Sequence, residues 1–351
     1  MTNSALHLPA LKGGLLALLA AGLFGVSTPL VQQLGQGLGP FTTAALLYAG
    51  AAAVGSLLRQ RVGQEARVLR SDFPRLVVVA TCGAVLGPVA LAWGLQRTSG
   101  TGASLMLTLE ALFTAVLAWR FYGETMDRRV WAGMLMLLAG GALLVVDRGL
   151  SGGGQLAGLL AVLAATAAWG MDNTLSRVLA ERDPGQVVLI KATLGSAATL
   201  GMALLMGEPA PRLMPALGLL AVGATGYGLS LRFYLLAQRA FGAARTGSVF
   251  AFAPFIGAFL AFVLGDRSAS WGMACGGSLM LVGILMHLAE NHSHEHEHMA
   301  LEHEHAHQHD DAHHDHQHDS MPVGPHSHRH QHLPFRHSHA HVPDAHHAHK
   351  H

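Results

Sequence analysis

Several ionisable residues lie inside long apolar stretches of the chain, where a charge is costly. Asp172 and Lys191 stand on either side of the turn-like segment 181–185, within apolar runs at 155–178 and 186–206. Each run is long enough to cross a hydrocarbon layer of about 30 Å as a helix. An ionised side chain there costs roughly 2.5–3.5 kcal/mol unless it faces a partner or water. The pattern predicts a polar site between two neighbouring helices.

Two interpretations of Asp172 and Lys191 remain open. Asp172 lies about seven residues before the turn and Lys191 about six after it, so both are expected about 9–10 Å deep and able to pair. They form either a structural ion pair or part of a substrate path, and a lysine at this depth can also extend to the interface. Trp169 and Asn173 flank Asp172, and Trp169 is deep enough to line a pocket.

Glu110 lies ten residues from either end of the apolar run 101–121, near the middle of the membrane. We expect its carboxyl group to be protonated, paired or in contact with water. A carboxyl group that takes up and releases protons suits proton-coupled transport, whereas a neutral glutamic acid would only join two helices by a hydrogen bond. The predicted substrate and proton pathway comprises Glu110, Asp172, Lys191, Trp169 and Asn173.

Ten apolar runs carry these residues. They cover 11–31, 39–58, 74–95, 101–121, 130–146, 155–178, 186–206, 213–236, 246–264 and 271–288. Runs of this length without strict alternation predict helices, because a helix satisfies its own backbone hydrogen bonds in lipid. The chain is 51% hydrophobic and 12% charged. We predict an all-α polytopic membrane protein with ten transmembrane helices among membrane lipids.

Lysine and arginine are unevenly distributed between alternate connections, with 13 on the side of the N-terminus and four on the other. This asymmetry predicts cytoplasmic N- and C-termini, as in a protein of the bacterial cytoplasmic (inner) membrane. The sequence lacks a phosphate-binding G-x-x-x-x-G-K-[ST] motif, a nucleophile constellation and a basic patch with interleaved aromatics. ATP-driven transport, catalysis and nucleic-acid binding are therefore not predicted.

The chain contains an internal repeat. Residues 14–21 match residues 158–165 at seven of eight positions, and an offset of 142 places Gln96-Arg97 on Gln238-Arg239, Gly100 on Gly242 and Gly123-Glu124 on Gly265-Asp266. Each copy holds five spans, and an odd number forces the copies into opposite orientations. We predict two inverted five-helix repeats at 1–150 and 151–290, with the site between them. The repeat copy of Glu110 is Phe252, so that site is asymmetric.

With these features the chain resembles the EamA-type permeases of the drug/metabolite transporter superfamily. The resemblance rests on the two five-helix halves, on Trp169-Gly170 in the first helix of the second half, and on the two glycine-acid pairs before each half's last helix. It covers roughly residues 11–288, and the first half departs from it with Phe24-Gly25 in place of Trp-Gly. It implies a ten-helix permease for small metabolites. A homodimer is compatible with this reading but not required.

Prolines and glycines mark predicted helix breaks and close helix contacts. Pro29, Pro88 and Pro254 each remove a backbone donor and leave a carbonyl free. The motifs Gly83-x-x-x-Gly87 and Gly272-x-x-x-Gly276 allow two helices to approach closely.

The C-terminal segment 291–351 differs in composition from the rest, since 292–351 holds 23 of the 25 histidines. It is too polar to bury a core, so we predict a disordered tail. Flexible His-x-His arrays bind Zn, Ni, Cu or Co without selecting among them, and no cofactor is required for transport itself. The predicted metal ligands are His292, His294, His296, His298, His303, His305, His307, His309, His313, His314, His316, His318, His326, His328, His330, His332, His337, His339 and His341.

Three functional hypotheses follow. The first is a secondary transporter of a small metabolite or drug-like solute, driven by protons, with the tail as an accessory. The second is a divalent-metal exporter that receives its ion from the tail, and the third is a membrane-anchored metal buffer or sensor without transport. The apolar part favours the first, because Lys191 would repel a metal ion and only Glu110 and Asp172 are carboxylates well inside the spans.

Overall fold

A computed structural model describes residues 7–59, 66–123, 126, 128–150, 153–241, 243–288, 293–298, 301–307, 326–332 and 335–340. The first half contains α1 (His7–Leu34), α2 (Pro40–Leu57), α3 (Phe73–Ala80), α4 (Gly87–Leu95), α5 (Gly100–Met106), α6 (Leu109–Tyr122) and α7 (Arg128–Leu150). A 3₁₀ turn at Arg70–Asp72 precedes α3, and a π-helical segment at Thr81–Leu86 joins α3 to α4.

The second half contains α8 (Gly153–Ser176), α9 (Pro184–Leu205), α10 (Leu213–Val222), α11 (Ser230–Phe241), α12 (Ala243–Phe250), α13 (Ala253–Val263) and α14 (Trp271–Leu288). A 3₁₀ segment at Arg177–Glu181 follows α8, and a π-helical segment at Gly223–Leu229 joins α10 to α11. The two π-helical segments start 142 residues apart, at the offset of the sequence repeat.

Within the described residues, eight helices are long and apolar enough to cross a membrane. Two shorter apolar helices, Ala253–Val263 and Trp271–Met286, complete the set of ten predicted segments. The membrane part is entirely helical, as predicted, because hydrocarbon offers no partner for an open backbone.

The structure describes four segments of the tail. They form β1 (Ser293–His298), β2 (Leu301–His307), β3 (His326–His332) and β4 (Phe335–Ala340). β1 pairs with β4 and β2 with β3, both antiparallel. The physical reason is the alternation of histidine with other residues, because a period of two matches the pleat of a strand.

Each helix of one half packs mainly against helices of the other half, and equivalent helices make equivalent contacts. α1 of the first half packs against α11 and α13 of the second, and α8 packs in the same way against α4 and α6. α2 pairs with α9, and α7 pairs with α14. The halves therefore interlock around a local twofold relation, and the first helix of each half lies against the later helices of the other.

The predicted helix breaks are present at two of the three prolines. Pro88 follows the first π-helical segment and Pro254 opens α13, whereas Pro29 lies inside an uninterrupted α1. The run 101–121 is also divided, without a proline, at Leu107 and Thr108. There the Thr108 amide donates to the Leu105 carbonyl at 3.0 Å, so the backbone tightens to 3₁₀ geometry just before Glu110.

The predicted Gly272-x-x-x-Gly276 contact is present between α14 and α7. A Cβ atom on Gly276 would lie 3.0 Å from the Gly140 carbonyl oxygen, and one on Gly140 would lie 2.6 Å from the Gly276 carbonyl oxygen. Small residues let two backbones approach closely in lipid, where dispersion contacts rather than water exclusion hold helices together. Through these contacts α7 and α14, the last helices of the two halves, pack closely against each other.

Two acidic residues outside the spans join the halves at one end of the bundle. Glu208 accepts hydrogen bonds from the Thr42 amide at 2.7 Å and the Phe41 amide at 3.1 Å, at the start of α2. Asp266 accepts one from the Thr101 amide at 2.8 Å, at the start of α5. Burial raises the pKa of Asp266, but hydrogen bonds from Ser268 and Thr101 outweigh it and hold the pKa below its ordinary value.

Candidate functional site

Asp172 and Lys191 form a buried ion pair between α8 and α9. The Lys191 ammonium donates to Asp172 Oδ2, and the Ser176 hydroxyl donates to Asp172 Oδ1 at 3.2 Å. Asp172 is 4% exposed and Lys191 3% exposed, so neither charge faces lipid or reaches the surface. The pairing expected from the depth of the two residues is present, and it leaves this corner of the site electrically neutral.

The π-helical segment brings a backbone carbonyl to the same place. The π-type partner of the Gly83 carbonyl would be the amide of Pro88, which has no hydrogen. The carbonyl instead accepts from the Trp169 indole at 2.9 Å and from the Tyr48 hydroxyl. The π-helical segment thus lets side chains of α2 and α8 donate hydrogen bonds to the same carbonyl, beside the ion pair.

Glu110 lies at the start of α6, directly after the 3₁₀ turn, and faces α8. The Asn173 side-chain amide donates to Glu110 Oε1 at 2.5 Å. Glu110 is half-buried, and Asn173 is the partner that fixes its orientation. Since Asn173 follows Asp172 in α8, the carboxyl group and the ion pair contact this helix at nearly the same level.

Six aromatic side chains from both halves meet beside these polar groups. We call Phe24, Tyr48, Trp169, Tyr227, Tyr234 and Phe250 the aromatic cluster. Phe24 contacts Trp169 edge to face, with ring centroids 5.7 Å apart, and it also contacts Tyr227 at 5.8 Å. Tyr48 contacts Tyr227 at 5.5 Å, and Phe250 contacts Phe24 and Tyr234 at 5.4 and 5.0 Å.

The two residue pairs that differ between the halves meet at the centre of the aromatic cluster. Phe24 and Trp169 occupy equivalent positions in α1 and α8, and their rings touch. The glycine after each one admits a helix of the other half. A Cβ atom on Gly25 would lie 2.4 Å from the Ala253 carbonyl oxygen, and one on Gly170 would lie 2.6 Å from Phe113 Cβ.

All five predicted pathway residues lie on or against α8. Asp172 contacts Lys191 directly and Asn173 contacts Glu110 directly. The Trp169 indole donates to the carbonyl of Gly83, the residue that packs against the ion pair. Sequence reasoning missed Tyr48, Tyr227 and Phe24 as members of the site. The signal for Tyr48 was weak, since it is a single phenol in an apolar helix, whereas Phe24 could have been found from its alignment with Trp169.

The predicted metal ligands in the tail divide into two groups. The strands contain His294, His296, His298, His303, His305, His307, His326, His328, His330, His332, His337 and His339. His292, His309, His313, His314, His316, His318 and His341 lie outside the described residues. In the part of the chain that the structure describes, no three histidine, cysteine, aspartate or glutamate side chains come together as metal ligands.

The fold and the site together define a class of protein. Ten apolar helical segments make the chain an integral membrane protein, and its buried ionisable groups lie where the two halves meet. Intramembrane ionisable residues in such a position are typical of transport pathways.

The family follows from comparison with known proteins. The sequence matches the EamA-like transporter family over residues 11–146 and again over residues 156–289, and the chain belongs to this family. The family is one of transporters.

Two known proteins are similar to this chain, one in sequence and one in fold. An uncharacterized transporter of Methanothermobacter thermautotrophicus (strain Delta H) is 28% identical over 230 residues, covering 63% of this chain and 66% of its own length. The chain thus spans just under two thirds of that curated relative. A solved crystal structure superposes with a TM-score of 0.57 at 22% identity, covering 79% of this chain and 94% of that one, and it supports the fold alone.

Proposed function

We propose that the protein is a secondary transporter that moves a small metabolite or drug-like solute and couples its movement to protons through Glu110. The observation that carries this proposal is the contact between Glu110 and Asn173, next to the Asp172–Lys191 pair, where both halves meet. A carboxyl group at this position can bind a proton or interact with a solute. The repeat copy, Phe252, cannot, so one group would serve the whole pathway.

We place the protein in a bacterial cytoplasmic membrane with both termini in the cytoplasm. The distribution of lysine and arginine supports this orientation. Glu208 and Asp266 would then join the halves at the outer surface, opposite the chain termini.

Glu110→Gln should abolish most proton-driven flux while leaving membrane insertion intact. Glutamine keeps the size and the hydrogen bond to Asn173 but carries no titratable proton. Untargeted metabolite profiles of cells that lack or express the protein would identify the solute. Flux in proteoliposomes with an imposed pH gradient would then be compared between wild type, Glu110→Gln and the control Glu208→Gln, whose carboxylate lies at a helix start outside the spans. Wild-type flux in Glu110→Gln would remove Glu110 from the mechanism.

A second candidate function rests on the tail. Antiparallel pairing sets His294 opposite His339 and His296 opposite His337, and it sets His303, His305 and His307 opposite His330, His328 and His326. Directly opposed residues share one face of a sheet, so the register gathers histidines. With three or four imidazoles for each ion, the tail could hold on the order of six Zn, Ni, Cu or Co ions.

Deleting residues 292–351 distinguishes the three hypotheses. If the tail is an accessory, solute flux should be unchanged while metal binding by the purified protein falls to near zero. A metal exporter would lose efflux at low metal concentration, and a buffer or sensor would lose every metal-dependent phenotype. The first outcome is expected, because the membrane part described here holds no metal-ligand cluster. The readouts are solute flux, metal efflux and calorimetric metal titration.

A further inference from the structure

We propose that the histidine-rich tail docks on the end of the bundle where the link from α8 to α9 lies, and that it leaves this surface when a divalent metal binds. We call residues 177–182, Asp72 and Arg239 the inner rim. The inference rests on the metal binding proposed for the tail, and it assigns that metal a regulatory effect on transport.

Strand β2 of the tail lies against the inner rim. It approaches the 3₁₀ segment Arg177–Glu181, which follows α8 and leads into α9. Strand β3 pairs along one edge of β2, and a two-stranded sheet by itself is only marginally stable in water. Contact with the membrane part therefore supplies stability that the β2–β3 pair lacks.

The two halves of the protein are joined at the inner rim. Arg182 forms an ion pair with Asp72 at 2.9 Å, and the Asp183 amide donates to the Ala66 carbonyl at 2.7 Å. Asp72 and Ala66 belong to the first half, whereas Arg182 and Asp183 belong to the second. These contacts close this end of the bundle across the boundary between the halves.

The inner rim is continuous with the candidate site. The 3₁₀ segment follows Ser176, the last residue of α8, whose hydroxyl donates to Asp172 Oδ1 at 3.2 Å. A movement that opens the bundle at this end must separate Arg182 from Asp72. Because β2 lies beside this closure, the docked tail hinders the separation and so lowers transport.

The net charges of the rim and the tail are complementary. The inner rim contains three arginines against two acidic residues, and Arg239 joins it by donating to the Ala180 carbonyl at 2.7 Å. The four tail strands contain four glutamates against two arginines, which gives a net charge of −2 with neutral histidines. The glutamates are Glu295, Glu297, Glu302 and Glu304, and the arginines are Arg329 and Arg336. Opposite net charges favour docking.

Metal binding reverses the charge of the tail. A metal ion binds the neutral form of imidazole, so each Zn²⁺ adds two positive charges. One ion is enough to bring the strands from −2 to zero. The strands contain twelve histidines, and at about four for each ion they would hold about three ions and reach a net charge of about +4. A positive tail is repelled by the basic rim.

A metal ion shared between the tail and the rim is disfavoured. The inner rim contains no histidine or cysteine, and its Asp72 already pairs with Arg182. The metal therefore stays within the tail, and its effect on docking is electrostatic.

Quenching of a fluorophore on the inner rim reports docking in the full-length protein. Val178→Cys is labelled with bimane in a background with Cys82→Ala and Cys275→Ala. It is combined with Ala306→Trp in β2, because tryptophan quenches bimane only near contact. We expect strong quenching in lipid nanodiscs with EDTA and its loss with Zn²⁺. The same labelled protein without Ala306→Trp corrects for the native tryptophans.

Charge variants test the electrostatic mechanism. Glu302→Gln combined with Glu304→Gln removes the net negative charge of the strands and should weaken docking severalfold in EDTA. Arg177→Gln should also weaken it, whereas Arg212→Gln, just before α10 at the other end of the bundle, should have no effect. Replacing all 23 histidines of 292–351 by asparagine should preserve docking in EDTA and abolish the effect of Zn²⁺.

Quenching that Zn²⁺ leaves unchanged, in a protein whose tail binds Zn²⁺ by calorimetry, would overturn the inference and leave the proposed metal binding intact. A tail that binds no Zn²⁺ would overturn both. Absence of quenching in EDTA would show that the tail does not dock and would also overturn the inference.

Flux provides a separate readout once metabolite profiles have identified the solute. Flux through the full-length protein should rise severalfold from EDTA to Zn²⁺. The variant without residues 292–351 should match the Zn²⁺-saturated full-length protein in both media. Equal flux of the full-length protein with EDTA and Zn²⁺ would contradict the regulation, whereas Zn²⁺-dependent docking without flux of any solute would contradict the proposed transport alone.

Discussion

Replacing Lys191 by methionine should lower the free energy of unfolding by about 3–5 kcal/mol, because it leaves the Asp172 carboxylate buried without its counter-charge. Asp172 is 4% exposed and, among the described residues, would keep only the Ser176 hydroxyl as a hydrogen-bond partner. Methionine is unbranched and only one heavy atom shorter than lysine, so the main loss is the charge rather than the packing. Chemical denaturation of the purified protein in lipid nanodiscs, followed by circular dichroism, measures the loss.

A double variant distinguishes the contribution of the ion pair from the effect of changing Lys191 alone. Lys191→Met combined with Asp172→Asn removes both charges, so it should recover much of the stability lost in either single variant. Ile190→Met, in the neighbouring position of α9, is the packing control and should cost less than about 1.5 kcal/mol. If the effects of the two single variants simply add in the double variant, the two charges do not stabilise each other and the ion pair is not a unit.

Function need not follow stability in these variants. Under the proposed mechanism the Asp172–Lys191 pair keeps its corner of the site neutral, so that Glu110 alone carries charge. The double variant should then retain part of the solute flux, whereas Lys191→Met should lose it. The same proteoliposome flux assay distinguishes these cases.

The depth of Asp172 and Lys191 could be predicted because a helix advances a fixed distance per residue. Two residues at similar distances from one turn must then lie at similar depths in adjacent helices. The contact between Glu110 and Asn173 could not be predicted, because α6 and α8 are brought together by packing of the whole bundle. The aromatic cluster was missed for the same reason, since its rings come from α1, α2, α8, α11, α12 and the second π-helical segment.

Only some of the helix breaks could be predicted from the sequence. Proline has no backbone N–H to donate, so a helix break can be predicted from its position. Pro88 and Pro254 do lie at helix interruptions. Pro29 did not, because a helix can keep its course when neighbouring helices hold it. The turn at Leu107 and Thr108 contains no proline or glycine from which it could be predicted. This turn orients Glu110 toward α8.

Replacing Gly83 by alanine should lower the free energy of unfolding toward the upper end of the range for overpacked sites, about 1–3 kcal/mol, and should also impair transport. An added Cβ atom would lie 2.1 Å from Asp172 Oδ2 and 2.8 Å from Lys191 Nζ. Both groups are buried and fixed by each other, so neither can withdraw to solvent. The methyl group must therefore displace the ion pair or the helix segment that holds the Gly83 carbonyl.

Gly201→Ala is the matched control, since Gly201 lies in α9 and nothing comes within 4 Å of its added Cβ atom. It should leave stability unchanged or raise it by up to about 1 kcal/mol, because alanine is the better helix former. A shift of the Gly83 carbonyl would also release the Trp169 indole, so Gly83→Ala should change Trp169 fluorescence in a background without the other four tryptophans. Equal stabilities for the two alanine variants, with unchanged fluorescence, would show that the π-helical segment accommodates a methyl group at position 83 without displacing the ion pair. The close packing of Gly83 against the ion pair would then not be what holds the site together.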